Sequence, residues 1–130
     1  MAERIRVLLS EEEVNERIRQ IGEQISKDYE GRQVHLICVL KGGSFFMCEL
    51  AKRITVPVSL DFSYLLELLG KRNPKSLALC TMLDKPERRV VDVKVDYTGF
   101  NIPDEFVVGY GLDYDQRYRN LPYIGVVEFD

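Results

Sequence analysis

A chain of 130 residues with 45% hydrophobic and 30% charged residues reads as one globular domain with a single moderate core, not as a disordered segment. The formal net charge of −3 argues against a general nucleic-acid or acidic-membrane binder, and no apolar run approaches the roughly 18–20 residues of a membrane span. The start Met1-Ala2-Glu3-Arg4 leads into no uninterrupted apolar segment, so no export leader and a cytoplasmic location are expected.

Ser10 opens the first helix. Glu13 three residues on completes a capping box, and Glu11 and Glu12 favour the positive end of the helix dipole. Val14, Ile18, Ile21 and Ile25 recur at helical spacing, and the helix is expected to end near Tyr29 to Gly31. Val34 to Leu40 is almost wholly apolar after His35, as in a strand covered on both faces. His35 is the single histidine, so a His-based zinc site is excluded and a partly covered polar position is expected.

Lys41-Gly42-Gly43-Ser44 then leads into a helix from about Phe45 to Arg53. A strand, a Lys-Gly-Gly turn and a helix make an anion-binding arrangement: free amides, a helix N-terminus and one ammonium. The same glycines also suit an ordinary strand-to-helix turn, and the Gly-x-x-x-x-Gly-Lys spacing of a Walker A loop is absent. Val56 to Phe62 reads as a second strand, with Pro57 near its start. It runs straight into Ser63-Tyr64-Leu65-Leu66-Glu67-Leu68-Leu69, which reads as a helix capped by Ser63. Strand-to-helix connections usually take about 2–6 residues, and here there are almost none. Phe62/Ser63 is therefore a seam.

Lys71-Arg72-Asn73-Pro74 ends that helix. Ser76 to Leu83 reads as a third buried strand, and the loop Asp84 to Arg89 as a solvated charged turn. Val90 to Tyr97 alternates like a half-exposed strand, and Thr98 to Glu105 reads as a Gly/Pro turn. Phe106 to Tyr110 is an apolar strand of the kind that fills a sheet interior; it breaks at Gly109 and Gly111 and delivers Asp113. A carboxylate there suits either solvent or a hard cation such as Mg²⁺. Asp113 to Pro122 is a polar, tyrosine-rich loop holding Arg117 and Arg119, and Tyr123 to Phe129 closes the sheet. Cys38, Cys48 and Cys80 lie in apolar stretches without Cys-x-x-Cys spacing, so reduced, buried thiols are expected. The alternation of strands and helices indicates an α/β fold, a mostly parallel sheet flanked by helices.

Several segments resemble the hypoxanthine-guanine phosphoribosyltransferases: Val39-Leu40-Lys41-Gly42-Gly43-Ser44-Phe45-Phe46, Leu83-Asp84-Lys85-Pro86-Glu87-Arg88-Arg89, and above all Val93 to Gly125. That family moves a phosphoribosyl group from phosphoribosyl pyrophosphate to a purine with Mg²⁺, giving IMP or GMP and pyrophosphate. The resemblance implies a shortened type I phosphoribosyltransferase core with a small hood built from the terminal segments. It implies that Phe106 stacks on the purine, Val107 offers backbone hydrogen bonds to its edge, and Lys85 donates to the oxygen at purine position 6. It further implies that Asp113 holds Mg²⁺ near the base, that Lys41, Gly42 and Gly43 form the pyrophosphate loop with a cis peptide at Leu40-Lys41, and that Arg119 contacts pyrophosphate.

The departure from the family lies at the seam. The family's paired acidic residues, followed by aliphatics and an Asp-Ser/Thr-Gly-Thr run, have no match in this sequence, and neither does the flexible Ser-Tyr loop. An internal deletion between Phe62 and Ser63 accounts for both and removes one core strand. The expectation is a single domain that is weak or inactive alone as a purine salvage enzyme, or else a non-catalytic purine binder, natural or engineered. Expected partners are a purine base or nucleotide, phosphoribosyl pyrophosphate if the site is complete, and a second copy of the chain; nucleic acid and membrane are not expected.

Overall fold

The computed structural model describes residues 2–63, 75–86 and 94–129. Helix α1 (Glu11–Asp28) has the capping box in full: the Ser10 hydroxyl accepts from the Glu13 amide and the Glu13 carboxylate accepts from the Ser10 amide, each at 3.1 Å. Val14, Ile18, Ile21 and Ile25 form its buried stripe and enter one core cluster with Phe46 and Leu50 of α2 (Ser44–Ala51). Fully burying side chains of this size stabilises by about 1.5–3 kcal/mol each. No helix of the described residues is long and apolar enough to cross a membrane.

The parallel part of the fold is split. Strand β2 (Val34–Val39) pairs parallel with β3 (Val58–Ser63), from Val34 opposite Val58 to Val39 opposite Ser63. Strand β4 (Cys80–Asp84) pairs parallel with β5 (Tyr97–Asn101), from Cys80 opposite Tyr97 to Asp84 opposite Asn101. Among the described residues these remain two separate two-stranded sheets. The α/β class is as expected.

The terminal segments build a third sheet. Strand β1 (Glu3–Leu9), β7 (Ile124–Phe129) and β6 (Val107–Val108) lie in the order β1-β7-β6, all antiparallel. Periodicity alone does not assign β1, whose arginines Arg4 and Arg6 point outward and bind Glu128 at 3.2 and 2.6 Å. Strand β7 closes this antiparallel sheet and not the parallel one, which corrects the expectation for Tyr123 to Phe129. Its residues Ile124 to Val127 are buried because β1 and β6 pair along its two edges.

Other boundaries also move. Ser63 ends β3 opposite Val39, and its carbonyl accepts from the Leu40 amide at 3.1 Å, so β3 runs through the seam at Phe62/Ser63. The helix expected over 63–69 otherwise lies outside the described residues, as does the first half of the strand expected at 90–97; of its second half only Tyr97 is in a strand, as the first residue of β5. The third parallel strand starts at Cys80 and not at Ser76, and Leu77 is exposed. Thr98 to Asn101, expected as a turn, continues β5. Gly99 permits this: a Cβ there would stand 2.4 Å from the Met82 carbonyl, so only glycine lets β5 approach β4. Arg17 of α1 then donates to the Thr98 and Gly99 carbonyls at 2.7 and 2.9 Å. Of the cysteines, Cys38 is buried as expected, Cys80 is partly covered, and Cys48 on the outer face of α2 is exposed. His35 is half-exposed and shares a 2.6 Å hydrogen bond with Ser59.

Candidate functional site

The strand that ends in the hood is shorter than its apolar run. Only Val107 and Val108 pair with β7; Val108 is fully buried, whereas Phe106 is 55% exposed. Phe106 therefore leaves the interior, which corrects the reading of it as sheet filling. Its carbonyl accepts from the Val127 amide at 3.0 Å, so its backbone is pinned while its ring faces outward. Tyr114 packs edge-on against that ring at 5.5 Å, and Phe129 packs edge-on against Tyr114 at 5.7 Å. The result is an aromatic platform with an open face.

Lys85 reaches this platform from the loop after β4. Its Nζ donates to the Glu105 carbonyl at 2.7 Å and stands 3.9 Å from Asp104 Oδ1. The solvated turn expected from composition thus sends one ammonium to a fixed place, one residue from Phe106. Glu105 is itself held by Arg6 of β1. Strand β6 is at the edge of the hood sheet, so Val107 keeps one backbone edge beyond its pairing with Val126.

Past β6 the chain folds back on itself. Gly109 and Gly111 adopt φ of 95° and 98°, and Gly109 and Leu112 exchange backbone hydrogen bonds of 3.0 Å. The Arg119 guanidinium donates to the Gly111 carbonyl at 2.6 Å, and the Gly111 amide donates to the Arg119 carbonyl at 2.9 Å. A second guanidinium nitrogen of Arg119 lies 3.4 Å from Asp113 Oδ1, while Asp113 Oδ2 accepts from the Gln116 amide at 2.9 Å. Asp113 is thus not a free strand-end carboxylate but one held against a cation. Tyr110, on the same turn, is buried, and burial pushes its hydroxyl up to about 12.

The Lys41-Gly42-Gly43 loop meets this turn. A Cβ on Gly111 would stand 2.6 Å from the Gly42 carbonyl, so the two loops touch backbone to backbone. The Leu40-Lys41 peptide is cis, as the resemblance implies. The Ser44 amide and hydroxyl both bind the Lys41 carbonyl, at 3.1 and 2.7 Å. Gly43 occupies the N-cap of α2 and supplies no side-chain cap, and the Lys41 ammonium is exposed. A helix start without a capping side chain beside an exposed ammonium suits an anion.

The eight anticipated residues thus form two groups. Lys85, Phe106 and Val107 form one; Lys41, Gly42, Gly43, Asp113 and Arg119 form the other. Tyr114 joins them, being next to Asp113 in sequence and against Phe106 in space. Spacing gives no sign of Tyr114 or of the Gly111 anchor for Arg119, because both arise only when the loop closes. Among the described residues no cluster of three metal-ligating side chains exists. A lone carboxylate still fits Mg²⁺, which takes one or two protein carboxylates and otherwise water and phosphate oxygens.

A family profile described as "Phosphoribosyl transferase domain" matches residues 62–115. The chain is 38% identical over 173 residues to a hypoxanthine phosphoribosyltransferase of Salmonella typhimurium, with 98% of this chain and 97% of that protein covered. A hypoxanthine-guanine phosphoribosyltransferase of Bacillus anthracis superposes with a TM-score of 0.90 at 37% identity, covering 98% of this chain and all of that one. A Trypanosoma cruzi hypoxanthine phosphoribosyltransferase in complex with the product IMP superposes with a TM-score of 0.86 at 32% identity, covering 94% and 89%. A match 173 residues long against a chain of 130 leaves at least 43 positions (173 less 130) without a counterpart here.

Proposed function

This chain belongs to the hypoxanthine(-guanine) phosphoribosyltransferase family, and we propose on that premise that it binds 6-oxopurines and their nucleotides while turning them over weakly or not at all on its own. The observation that carries this reading is the Lys85 ammonium held at the Glu105 carbonyl, one residue from the exposed Phe106 ring. A fixed donor beside an aromatic face selects a purine with an oxygen at position 6 over one with an amino group, because the amino group offers a second donor where an acceptor is needed. The Trypanosoma cruzi relative, solved with IMP, supports a nucleotide product.

Phosphoribosyl transfer passes through a transition state of oxocarbenium character, so positioning the donor and stabilising the departing pyrophosphate dominate catalysis. In this reading Lys41, the amides of Gly42 and Gly43 and the guanidinium of Arg119 receive pyrophosphate. Asp113 would hold Mg²⁺, which neutralises phosphate charge when bound. The positions without a counterpart, which we place at Phe62/Ser63, take away the ribose-phosphate middle of the site. Substrate ends are therefore retained and the reacting centre is not.

A coupled assay for IMP or GMP formation, with tyrosine fluorescence read in parallel, tests this. GMP quenching without turnover is the expected result. Turnover at ordinary enzyme rates, about 1–10³ per second, would overturn the loss of the middle, and absence of any GMP quenching would overturn the purine site.

A further inference from the structure

Strand β1 reaches both halves of the proposed purine site from outside it, the Lys85 donor on one side and the Phe106 platform on the other. Glu3 and Arg6 are three residues apart on β1, so strand alternation turns their side chains to opposite faces. Arg6 binds Glu128 of β7 at 2.6 Å with one guanidinium nitrogen and grips the Glu105 carboxylate with another. Glu105 stands two residues before β6, and its amide donates to the Pro103 carbonyl at 2.8 Å, within its own loop. The Arg6 clamp ties Glu105 to the hood sheet, and the Glu105 carbonyl in turn receives the Lys85 ammonium. Asp104 Oδ1, 3.9 Å from the same ammonium, is an alternative partner for Lys85 once Glu105 drifts.

Glu3 serves the platform. One of its carboxylate oxygens binds Arg117 at 2.8 Å, and the other accepts from the Tyr118 hydroxyl at 2.7 Å. Arg117 lies over the Tyr114 ring at 5.3 Å, and Tyr114 packs edge-on against Phe106. Phe129, opposite Glu3 in the β1–β7 register, packs on the same Tyr114 ring. Asp115, Gln116 and Tyr118 hold φ of 52°, 63° and 78°, values that non-glycine residues keep only where the surroundings fix them. The Glu3 carboxylate supplies two such ties to this loop.

We propose that Glu3 and Arg6 are positioning residues of the purine site with separate duties. Arg6, through Glu105, sets the place of the Lys85 ammonium; Glu3, through Arg117 and Tyr114, sets the Phe106 ring. Arg6 therefore governs discrimination at purine position 6, whereas Glu3 governs affinity for any purine. Exposed ion pairs contribute little to global stability, so loss of the Arg6 clamp shows in binding before it shows in folding. Side-chain exposures of 45% for Arg6 and 32% for Glu105 put the pair in that class. The inference rests on the purine reading above, and its test separates the two.

The test titrates GMP and AMP against tyrosine fluorescence in the full chain and its variants. R6A should weaken GMP binding about threefold or more and leave AMP unchanged, so that the ratio of the two affinities falls. E105Q should match it, and R6A/E105Q should add nothing further, because both remove one link. R6K, which keeps a cation at the Glu105 carboxylate, should restore most of the ratio. E3A should weaken GMP and AMP by the same factor, about twofold or more. Equal weakening of GMP and AMP in R6A overturns the proposal, as does an E3A effect that is absent or confined to GMP. A lowered urea midpoint in R6A with an unchanged nucleotide ratio gives Arg6 a structural role only and overturns it too. Should R6A fail to fold, E105Q, which changes a partly exposed side chain, decides in its place. If GMP does not quench the unsubstituted chain, the purine reading falls and this inference with it; if GMP quenches and the ratio holds in R6A and E105Q, the inference alone falls.

Discussion

Phe106 illustrates how one side chain changes meaning between sequence and structure. By composition Phe106-Val107-Val108 fills a sheet interior; in the fold Val108 fills it and Phe106 turns its ring to solvent. Strand alternation would put Phe106 on the face of Val108, but β6 begins only at Val107, so Phe106 stands before the strand and its ring is not bound to that face. An exposed ring supported by Tyr114 costs little to remove, so F106A should leave the protein folded. Base–aromatic stacking contributes about 1–3 kcal/mol. GMP affinity, measured by tyrosine quenching, should therefore fall about tenfold or more in F106A. The same titration in K85A should lose affinity for GMP and hypoxanthine and none for adenine, because the lost donor serves only the 6-oxo group. Equal loss for adenine would mean that Lys85 acts through the Glu105 backbone and not through the base.

Helix α1 is the element most completely written in local sequence. Its cap, its acidic first turn and its apolar stripe all reside within 18 consecutive residues and one preceding serine, and the structure has each of them. Replacing a capping serine costs about 0.5–2 kcal/mol. S10A should lower the urea midpoint by a corresponding amount with an unchanged slope, and I18A, which empties a site 1% exposed, should cost about 2–5 kcal/mol. The strands are less legible. Thr98 to Asn101 carries a glycine and reads as a turn, yet it is β5, because close approach to Met82 demands that glycine. Strand β1 pairs with β7 across nearly the whole chain, from Glu3 opposite Phe129, and no local pattern announces a partner that distant.

At the scale of the molecule, burial sets the response to alkali. The Cys80 thiol is pushed up to about 12 from 9.0, chiefly by burial, and burial likewise raises the Tyr110 hydroxyl to about 12. Both groups keep their protons in the folded chain at pH values where the unfolded chain loses them. Their contribution to stability is therefore complete below about pH 9 and is lost as pH rises toward 12. Urea midpoints should hold steady up to pH 8 and fall from pH 9 upward, less steeply in C80A. A C80A profile as steep as that of the unsubstituted chain would show that Cys80 is not among the groups responsible. Assembly of the two parallel pairs is a second property of this scale. A lone two-stranded ribbon is marginal in water, so β2–β3 and β4–β5 depend on the helices and hood that back them.

The sequence by itself determined the α/β class, the capped helix, the kinds of chemical group available and, through its segments, the family. Each of these rests on neighbours in the chain: a serine and a glutamate three apart, apolar residues at helical spacing, Lys-Gly-Gly before a helix. Tertiary structure alone decided that the parallel strands among the described residues stand as two separate pairs, that the chain ends join in their own antiparallel sheet, and that Arg119 grips Asp113 and Gly111. It alone placed Lys85 at Glu105, twenty residues away. The physical reason is the same throughout: a helix satisfies its backbone within a few residues, whereas strand edges, ion pairs and ring contacts find partners only after the chain has closed loops between distant residues.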